Sequence, residues 1–403
     1  MAWTFETGLA AFLLAAFAAQ AIAAATGSRV SLQLALGAIC VLGLAAGLLP
    51  PDFVEKSRMK EVGTIAFNVL IVHTGASLDF RALARERKAA ALVLGSIALM
   101  AAASFLALAP LIGRGLAAAS PGPVVGGGAA CAIASVALGR ARPGLAAYPW
   151  LVFMFQGLAG APILAWALRR DRAWRAERPD NAMRDGVAQR VARNDVAAAG
   201  AEASPPGGAA ASGAAGPAAR IPARLKGPAY YLGSLMLVSL LNRRLSALVF
   251  ARIGLGMTLT ALLFGITLGR LGLLEREPLA KSDSMGLLML GLMALMADAL
   301  AGTPLPALAG LAPAALAATA AGAALLCALG AAGGAALGLG PWRGVALAAG
   351  CMASLPANLL LAKGLAAKGE ADPGALPALA AGWSLAANLA SIVLASYVGY
   401  LIC

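Results

Sequence analysis

Long apolar stretches separated by short polar segments run along most of the chain. In the first half they lie at residues 8–26, 31–49, 62–79, 89–112 and 145–168, and in the second half at 229–250, 256–273, 285–301, 307–338 and 375–401. A helix needs about 20 apolar residues to cross about 30 Å of hydrocarbon, whereas a membrane barrel shows alternating segments of about ten residues. The pattern therefore predicts an all-α polytopic membrane protein with five spans in each half.

Each half also contains a shorter apolar segment that glycine or proline interrupts, at residues 122–139 and 344–362. Pro121-Gly122-Pro123 and Gly126-Gly127-Gly128 interrupt the first segment, and Ser354-Leu355-Pro356-Ala357-Asn358 lies inside the second. Irregular backbone at membrane depth persists only where it is buried in protein or lines a wet cavity. We therefore predict a re-entrant or broken helix at each segment.

The order of elements repeats between residues 34–88 and 260–309. In both regions an apolar stretch ends in Gly-Leu-Leu, a charged loop follows, and the next apolar stretch has a polar interruption near His73 or Asp298. Five spans plus one re-entrant segment give each half an odd number of crossings, so the second half would enter the membrane upside down. We expect two inverted repeats; if the short segments cross completely, the halves are parallel instead.

A hydrophilic segment separates the two repeats and suggests three regions: a first transmembrane repeat at 1–168, a linker at 169–227 and a second repeat at 228–403. The segment begins with an Arg-rich run and continues into Ala, Gly, Ser and Pro, with few large apolar residues. This composition predicts a flexible linker. Because Lys and Arg near span ends accumulate on the cytoplasmic side, we expect a cytoplasmic linker, periplasmic termini and a location in the bacterial inner membrane.

Composition supports the membrane assignment and excludes several function classes. Hydrophobic residues make up 61% of the chain and charged residues 12%, with a mean hydropathy of +0.82, whereas soluble domains carry about 25% charged residues. The cysteines lack the paired spacings of metal or disulfide frameworks, and no P-loop or zinc motif is present. We expect no enzyme activity, no cofactor and no nucleic-acid partner.

The order of spans and interruptions resembles the bacterial sodium/glutamate symporter family. Local similarities are Leu292-Met293-Ala294-Leu295-Met296 and the run from Gly344 to Cys351. At the interrupted segments the chain departs from the family: it has Val125 to Ser135 in place of a Gly-Gly-His-Gly-Thr-Gly-like run, and Ala353-Ser354-Leu355-Pro356 in place of Gly-Ala-Thr-Pro. The resemblance covers essentially the whole chain. It implies two inverted halves of five spans, each with a Gly-rich re-entrant loop before its last helix, joined by a cytoplasmic hydrophilic loop.

Two ionisable residues within apolar spans are candidates for ion coupling. Among the acids only Asp298 falls within an apolar stretch, because Asp79 lies at the very end of one, beside Arg81. His73 is the only histidine of the chain and occupies the matching position in the first half. Charged groups in hydrocarbon are costly, and a carboxylate suits a small cation or a proton relay. The alternatives are that Asp298 sits at the membrane interface and that His73 makes a structural hydrogen bond.

The interrupted segments supply the candidate substrate-binding residues. Unwound backbone at Gly126, Gly127 and Gly128 would present a helix N-terminus to an anion, and Pro356, with the Asp298 carboxylate, could provide oxygen ligands to a sodium ion. Further hydroxyl and amide candidates are Ser135, Ser354, Asn358, Gln156 and Asn388. The alternative is that the glycines serve close packing and that the amides form ordinary interhelical hydrogen bonds.

These features predict a sodium- or proton-coupled secondary transporter of a small organic anion, such as an amino or dicarboxylic acid, working by alternating access around crossed re-entrant tips. We expect the protein to lie in the lipid bilayer, and a homodimer is compatible with the sequence. Two other readings stay open: a membrane scaffold that keeps the fold without transporting, and a proton-coupled exporter or antiporter.

Overall fold

The computed structural model describes residues 3–26, 30–177, 217, 221–248, 257–275, 277–352 and 355–402. Over these ranges the ordered elements are helices, and no strand occurs, which confirms the predicted all-α class. Four helical segments are long and apolar enough to cross a membrane: Phe5–Ala25, Arg87–Ile112, Pro143–Ala176 and Leu305–Ala336. Shorter apolar helices accompany them, as expected of a membrane-embedded protein.

The helices of the first half follow the predicted order. They are α1 (Phe5–Ala25), α2 (Leu32–Ala45), α3 (Phe53–Lys56), α4 (Met59–Ala76), α5 (Phe80–Arg85), α6 (Arg87–Ile112), α7 (Arg114–Ala119), α8 (Pro121–Val125), α9 (Gly128–Ala141) and α10 (Tyr148–Ala176). The short segment predicted at 122–139 is a broken helix, because α8 ends at Val125 and α9 begins only at Gly128.

The second half is helical as well. Its helices are α11 (Pro228–Leu248), α12 (Met257–Arg270), α13 (Pro278–Lys281), α14 (Met285–Ala301), α15 (Leu305–Ala336), α16 (Pro341–Ala349), α17 (Leu355–Ala367), α18 (Leu376–Leu385) and α19 (Ser391–Ile402). A 3₁₀ turn at Gly350–Met352 follows α16. A π-helical turn at Ala386–Ala390 separates α18 from α19.

The two halves share their turn geometry. Gly47 and Gly272 both have positive φ, 69° and 67°, and both follow a helix that closes with the same pair of backbone bonds. Leu48 and Leu49 donate to the Gly43 carbonyl, and Leu273 and Leu274 donate to the Leu268 carbonyl. A left-handed residue after a helix is what glycine tolerates without strain. The repeated Gly-Leu-Leu motif therefore encodes a repeated helix end.

Helices at equivalent places in the two halves pack against each other in opposite directions. Lys60 in the first turn of α4 contacts Asp298 near the end of α14, and Gly63, further along α4, packs against Gly291, earlier in α14. Likewise Lys88 at the start of α6 donates to the Leu337 carbonyl after the end of α15. Both pairs, α4 with α14 and α6 with α15, are therefore antiparallel.

These contacts define the two ends of the helical bundle. We call the end that contains the end of α10 the linker face; it also contains the turn between α15 and α16, because the Arg175 guanidinium donates to the Leu339 carbonyl at 2.9 Å. The other end, where α10 begins at Tyr148, is called the opposite face. Lys60 and Asp298 lie at the opposite face, since α14 runs from the linker face towards it.

The start of the predicted linker is helical, so the boundary at residue 169 is corrected. Helix α10 continues through Arg169 to Ala176. The Asp171 side chain is 2% exposed and accepts hydrogen bonds from Arg175 and Arg343. Because these bonds tie the segment to the second half, residues 169–176 are part of the folded protein. Residues 178–216 and 218–220 of the predicted linker lie outside the described residues.

Candidate functional site

The first broken segment, residues 114–141, is a hairpin that enters and leaves at the opposite face. We call it the first hairpin. Ser120 on its inward arm contacts the Tyr148 hydroxyl at 2.8 Å, and Ser135 on its outward arm donates to the Ala146 carbonyl at 2.6 Å. Between the arms, the Gln156 amide donates to the Gly126 carbonyl at 3.1 Å. Gln156 lies about 12 Å along α10 from Tyr148, so the break is deep in the bundle.

The break itself consists of glycine backbone. Gly126 and Gly127 are extended, and Gly127 is the N-cap of α9 without any side-chain cap hydrogen bond. The first N–H groups of a helix have no acceptor within the helix and carry partial positive charge. The start of α9 is therefore a place where an anion or a carbonyl group can be bound.

The three glycines of the break have different surroundings. A Cβ on Gly126 would lie 2.5 Å from the Ser391 Cβ, and one on Gly128 would lie 2.7 Å from Leu292. A Cβ on Gly127 would meet nothing within 4 Å, and Gly127 is partly exposed. Close packing accounts for Gly126 and Gly128, whereas Gly127 faces open space.

Gln156 is the polar side chain at this break. It is 3% exposed, and its Oε1 has no hydrogen-bond partner among the described residues, although its Nε2 is bonded to Gly126. A buried polar atom left without a partner costs about 1–3 kcal/mol. The amide therefore offers an acceptor to a ligand that enters beside Gly127.

The second broken segment, described at residues 341–352 and 355–367, is also a hairpin; we call it the second hairpin. Arg343 at its start bonds to Asp372 just after its end, and both lie at the linker face. Deeper in, the Trp383 indole donates to the Ala346 carbonyl at 3.1 Å, and the Asn358 amide donates to the Gly350 carbonyl. An amide side chain thus holds the carbonyl at the break in both hairpins.

The two breaks meet inside the bundle. Helix α8 packs against the 3₁₀ turn Gly350–Met352, and both pack against α10. The first hairpin also lies along α19, where Gly122 is next to Ala395 and Gly126 is next to Ser391. The π-helical turn Ala386–Ala390 directly precedes Ser391. Such turns are frequent at functional sites, and this one was not anticipated from the sequence, where nothing distinguishes it.

The other candidate substrate-binding residues are distributed unevenly. Ser135 is bonded to Ala146 on the outward arm, away from the break. Asn358 is buried at the second break, and Asn388 lies within the π-helical turn, without a described side chain. Ser354 lies outside the described residues, and Pro356 is in the first turn of α17, again without a described side chain. The structure thus brings Gly126–Gly128, Gln156 and Asn358 to the two breaks.

The structure separates the two candidate coupling residues. The Asp298 carboxylate is 3.0 Å from the Lys60 ammonium, and its side chain is 30% exposed. His73 is 9% exposed, with Nδ1 3.5 Å from the Ser77 hydroxyl. Because α4 and α14 are antiparallel, Asp298 lies at the opposite face and His73 near the linker face. The ion pair matches the interface alternative for Asp298.

Within the described residues, no group of three or more His, Cys, Asp or Glu side chains could hold a metal ion. Comparison of the chain with protein-family models and with curated proteins found no match.

Proposed function

We propose that the chain is a sodium- or proton-coupled secondary transporter of a small organic anion, such as an amino or dicarboxylic acid, with the architecture of the sodium/glutamate symporter family. The observation that carries the proposal is the pair of hairpins that enter from opposite faces and whose breaks meet beside α10. Discontinuous helices whose ends meet in the bundle interior are how many secondary transporters bind substrate and ions.

The proposed architecture is a pair of inverted repeats. Antiparallel packing of α4 with α14 and of α6 with α15 supports it, because helices related by an axis in the membrane plane must run in opposite directions. So does the exchange of partners: the first hairpin packs on α19 of the second half, and the second hairpin packs on α10 of the first. The Arg-rich linker face is proposed to be cytoplasmic.

In this proposal the substrate carboxylate is bound by the first N–H groups of α9, in the open space at Gly127. The Gln156 Oε1 accepts a hydrogen bond from a donor on the substrate. A charged side chain is not required, because helix N-termini and buried dipoles suffice to stabilise an anion. Two buried polar residues, each about 1% exposed, pack at the breaks: Ser391 lies against Gly126 at the first, and the Asn358 amide donates to the Gly350 carbonyl at the second.

Transport is tested by reconstituting the protein in liposomes and measuring uptake of a panel of amino and dicarboxylic acids under imposed sodium or proton gradients. Gly127→Val should abolish uptake and leave thermal stability unchanged, because the added side chain enters open space in a backbone conformation that valine adopts. Gly95→Val is the matched control, since Gly95 also has nothing within 4 Å but lies on exposed α6 surface.

Four outcomes separate the readings. Uptake that Gly127→Val eliminates and Gly95→Val preserves supports the proposal. Uptake that survives Gly127→Val places the substrate elsewhere. Absence of gradient-driven flux for every acid, in either direction, from a stably folded protein favours the scaffold reading, whereas flux driven only by an opposed proton gradient indicates an exporter or antiporter.

Ion coupling at Asp298 is tested separately. A cation that binds Asp298 must displace the Lys60 ammonium, so Asp298→Asn should remove ion dependence, and Lys60→Gln should strengthen apparent ion affinity. If both variants keep the wild-type ion dependence, Asp298 is only part of an interfacial ion pair. The same uptake assay on His73→Gln tests a proton role for the histidine.

A further inference from the structure

The part of α10 from Tyr148 to Arg169 is about as long as the hydrocarbon core of a membrane is thick. Over these residues the helix advances about 32 Å. One turn before Arg169, Trp166 stacks edge-on against Trp342 with ring centroids 4.8 Å apart. Tryptophan is enriched at membrane–water interfaces. The residues of α10 that follow Trp166 are therefore placed among the headgroups of the linker-face leaflet.

A groove of about 400 Å³ lies at this depth. Its lining residues are Arg169, Arg172, Ala173, Ala176 and Glu370. Arg172 also lies against the turn at Gly369, where a Cβ would be 3.1 Å from its Nη1. Lys368 precedes this turn and is exposed.

The arginines near the end of α10 differ in what they bind. Arg175 is bonded to the buried Asp171 and to the Leu339 carbonyl, so its donors are engaged within the fold. Arg169 pairs with Glu370 at 2.7 Å, a carboxylate that is 39% exposed. For Arg172 no carboxylate lies within ion-pair distance in the described part of the chain. Among the described residues, Arg172 therefore has no competing carboxylate, and Arg169 can exchange its partner.

We propose that this groove binds the phosphate of an anionic phospholipid. Guanidinium groups recognise phosphate through paired N–H donors, and anionic lipids concentrate in the cytoplasmic leaflet, where the linker face is proposed to lie. Arg172 binds the phosphate directly, and Arg169 joins it when Glu370 moves away. The depth set by the Trp166–Trp342 pair selects a lipid headgroup over a soluble phosphate. This site is separate from the hairpin breaks and does not depend on transport.

The test is native mass spectrometry of the purified protein released from nanodiscs of phosphatidylcholine with or without phosphatidylglycerol. The wild type should retain phosphatidylglycerol in preference to phosphatidylcholine. Arg169→Gln with Arg172→Gln should lower that retention about tenfold. Arg85→Gln with Arg87→Gln is the control, because it removes the same charge from exposed positions at the same face. Glu370→Gln removes the competing carboxylate and should increase retention.

Each contrary result has a definite meaning. Equal retention of both lipids by the wild type, or an equal loss in the Arg85/Arg87 control, overturns the site. A loss of retention in Glu370→Gln shows that the Arg169–Glu370 pair is structural and also overturns it. If inorganic phosphate in detergent gives the same Arg169- and Arg172-dependent thermal shift as phosphatidylglycerol, the groove is a soluble-anion site and the lipid assignment is wrong.

Discussion

The two hairpins have the same outline but are held to the rest of the protein by different kinds of interaction. At the opposite face, the first hairpin is held at its ends by hydroxyl groups, through Ser120 with Tyr148 and Ser135 with Ala146. At the linker face, the second hairpin is held by ions, because Arg343 bonds both Asp171 and Asp372. Asp171 is almost fully buried and belongs to α10 of the first half.

This difference suggests that opening the two ends of the bundle requires different amounts of free energy. Separating Arg343 from Asp171 leaves a buried carboxylate with fewer partners, whereas separating a hydroxyl from a carbonyl exchanges one hydrogen bond for another with water. In the described conformation, the interactions that hold the second hairpin at the linker face are stronger than those that hold the first hairpin at the opposite face. This difference matters if the hairpins move during alternating access. The first hairpin is then the arm that moves more readily.

The largest effect on stability is expected from breaking the ion pairs that hold the second hairpin. Arg343→Ala removes the bonds to Asp171 and Asp372 and should destabilise the protein by about 3 kcal/mol, measured as thermal unfolding in nanodiscs. The control is Lys60→Gln, which breaks an ion pair whose side chains are 48% and 30% exposed and should cost less than about 1 kcal/mol. Equal effects of the two variants would show that the Asp171 cluster is no stronger than a surface pair.

A second ionic cluster at the linker face, around Glu275, allows the ionic contribution to stability to be measured by its dependence on pH. Burial raises the pKa of Glu275, but hydrogen bonds from Lys226, Lys281 and Tyr231 outweigh it and lower the pKa from 4.5 to about 2. A lowered folded-state pKa gives stability that is present above pH 4.5 and is lost as the pH falls towards 2. Glu275→Gln should flatten this part of the acid-unfolding curve.

The control for this titration is Glu6→Gln, which removes an exposed carboxylate from the first turn of α1 and should leave the acid limb of the curve unchanged. An identical acid limb in wild type and Glu275→Gln would mean that the cluster contributes no pH-dependent stability.

The packing of the first break provides a smaller effect. Gly126→Ala places a methyl group 2.5 Å from the Ser391 Cβ and should destabilise the fold by about 1–3 kcal/mol through overpacking. Gly127→Ala, one residue further, meets nothing within 4 Å and should leave the unfolding temperature unchanged. The unfolding temperatures of both variants are compared with that of the wild type. Similar decreases in the two variants would show that the break is uniformly packed and has no open side.

The sequence predicted the helices well, because hydropathy is a local signal. The predicted span 285–301 coincides with α14, and the glycine and proline clusters correctly marked the broken segments. Ion pairs between the halves were not predictable in this way: Lys60 with Asp298, and Arg343 with Asp171, join residues far apart in the chain. The Arg-rich run at residues 169–176 was predicted to be part of the linker because its composition is polar. In the structure, hydrogen bonds to the second half keep this segment helical.

The smallest effect tests the hydroxyl fastening of the first hairpin. Tyr148→Phe removes the 2.8 Å contact with Ser120 but keeps the buried ring. The Ser120 hydroxyl still donates to the Leu116 carbonyl, so the loss should be about 1 kcal/mol, the usual net value of one hydrogen bond. Hydrogen exchange of residues 114–125 should rise while residues 341–349 stay protected. A loss as large as that of Arg343→Ala, or increased exchange in both hairpins, would show that the two are equally fastened and move as one unit.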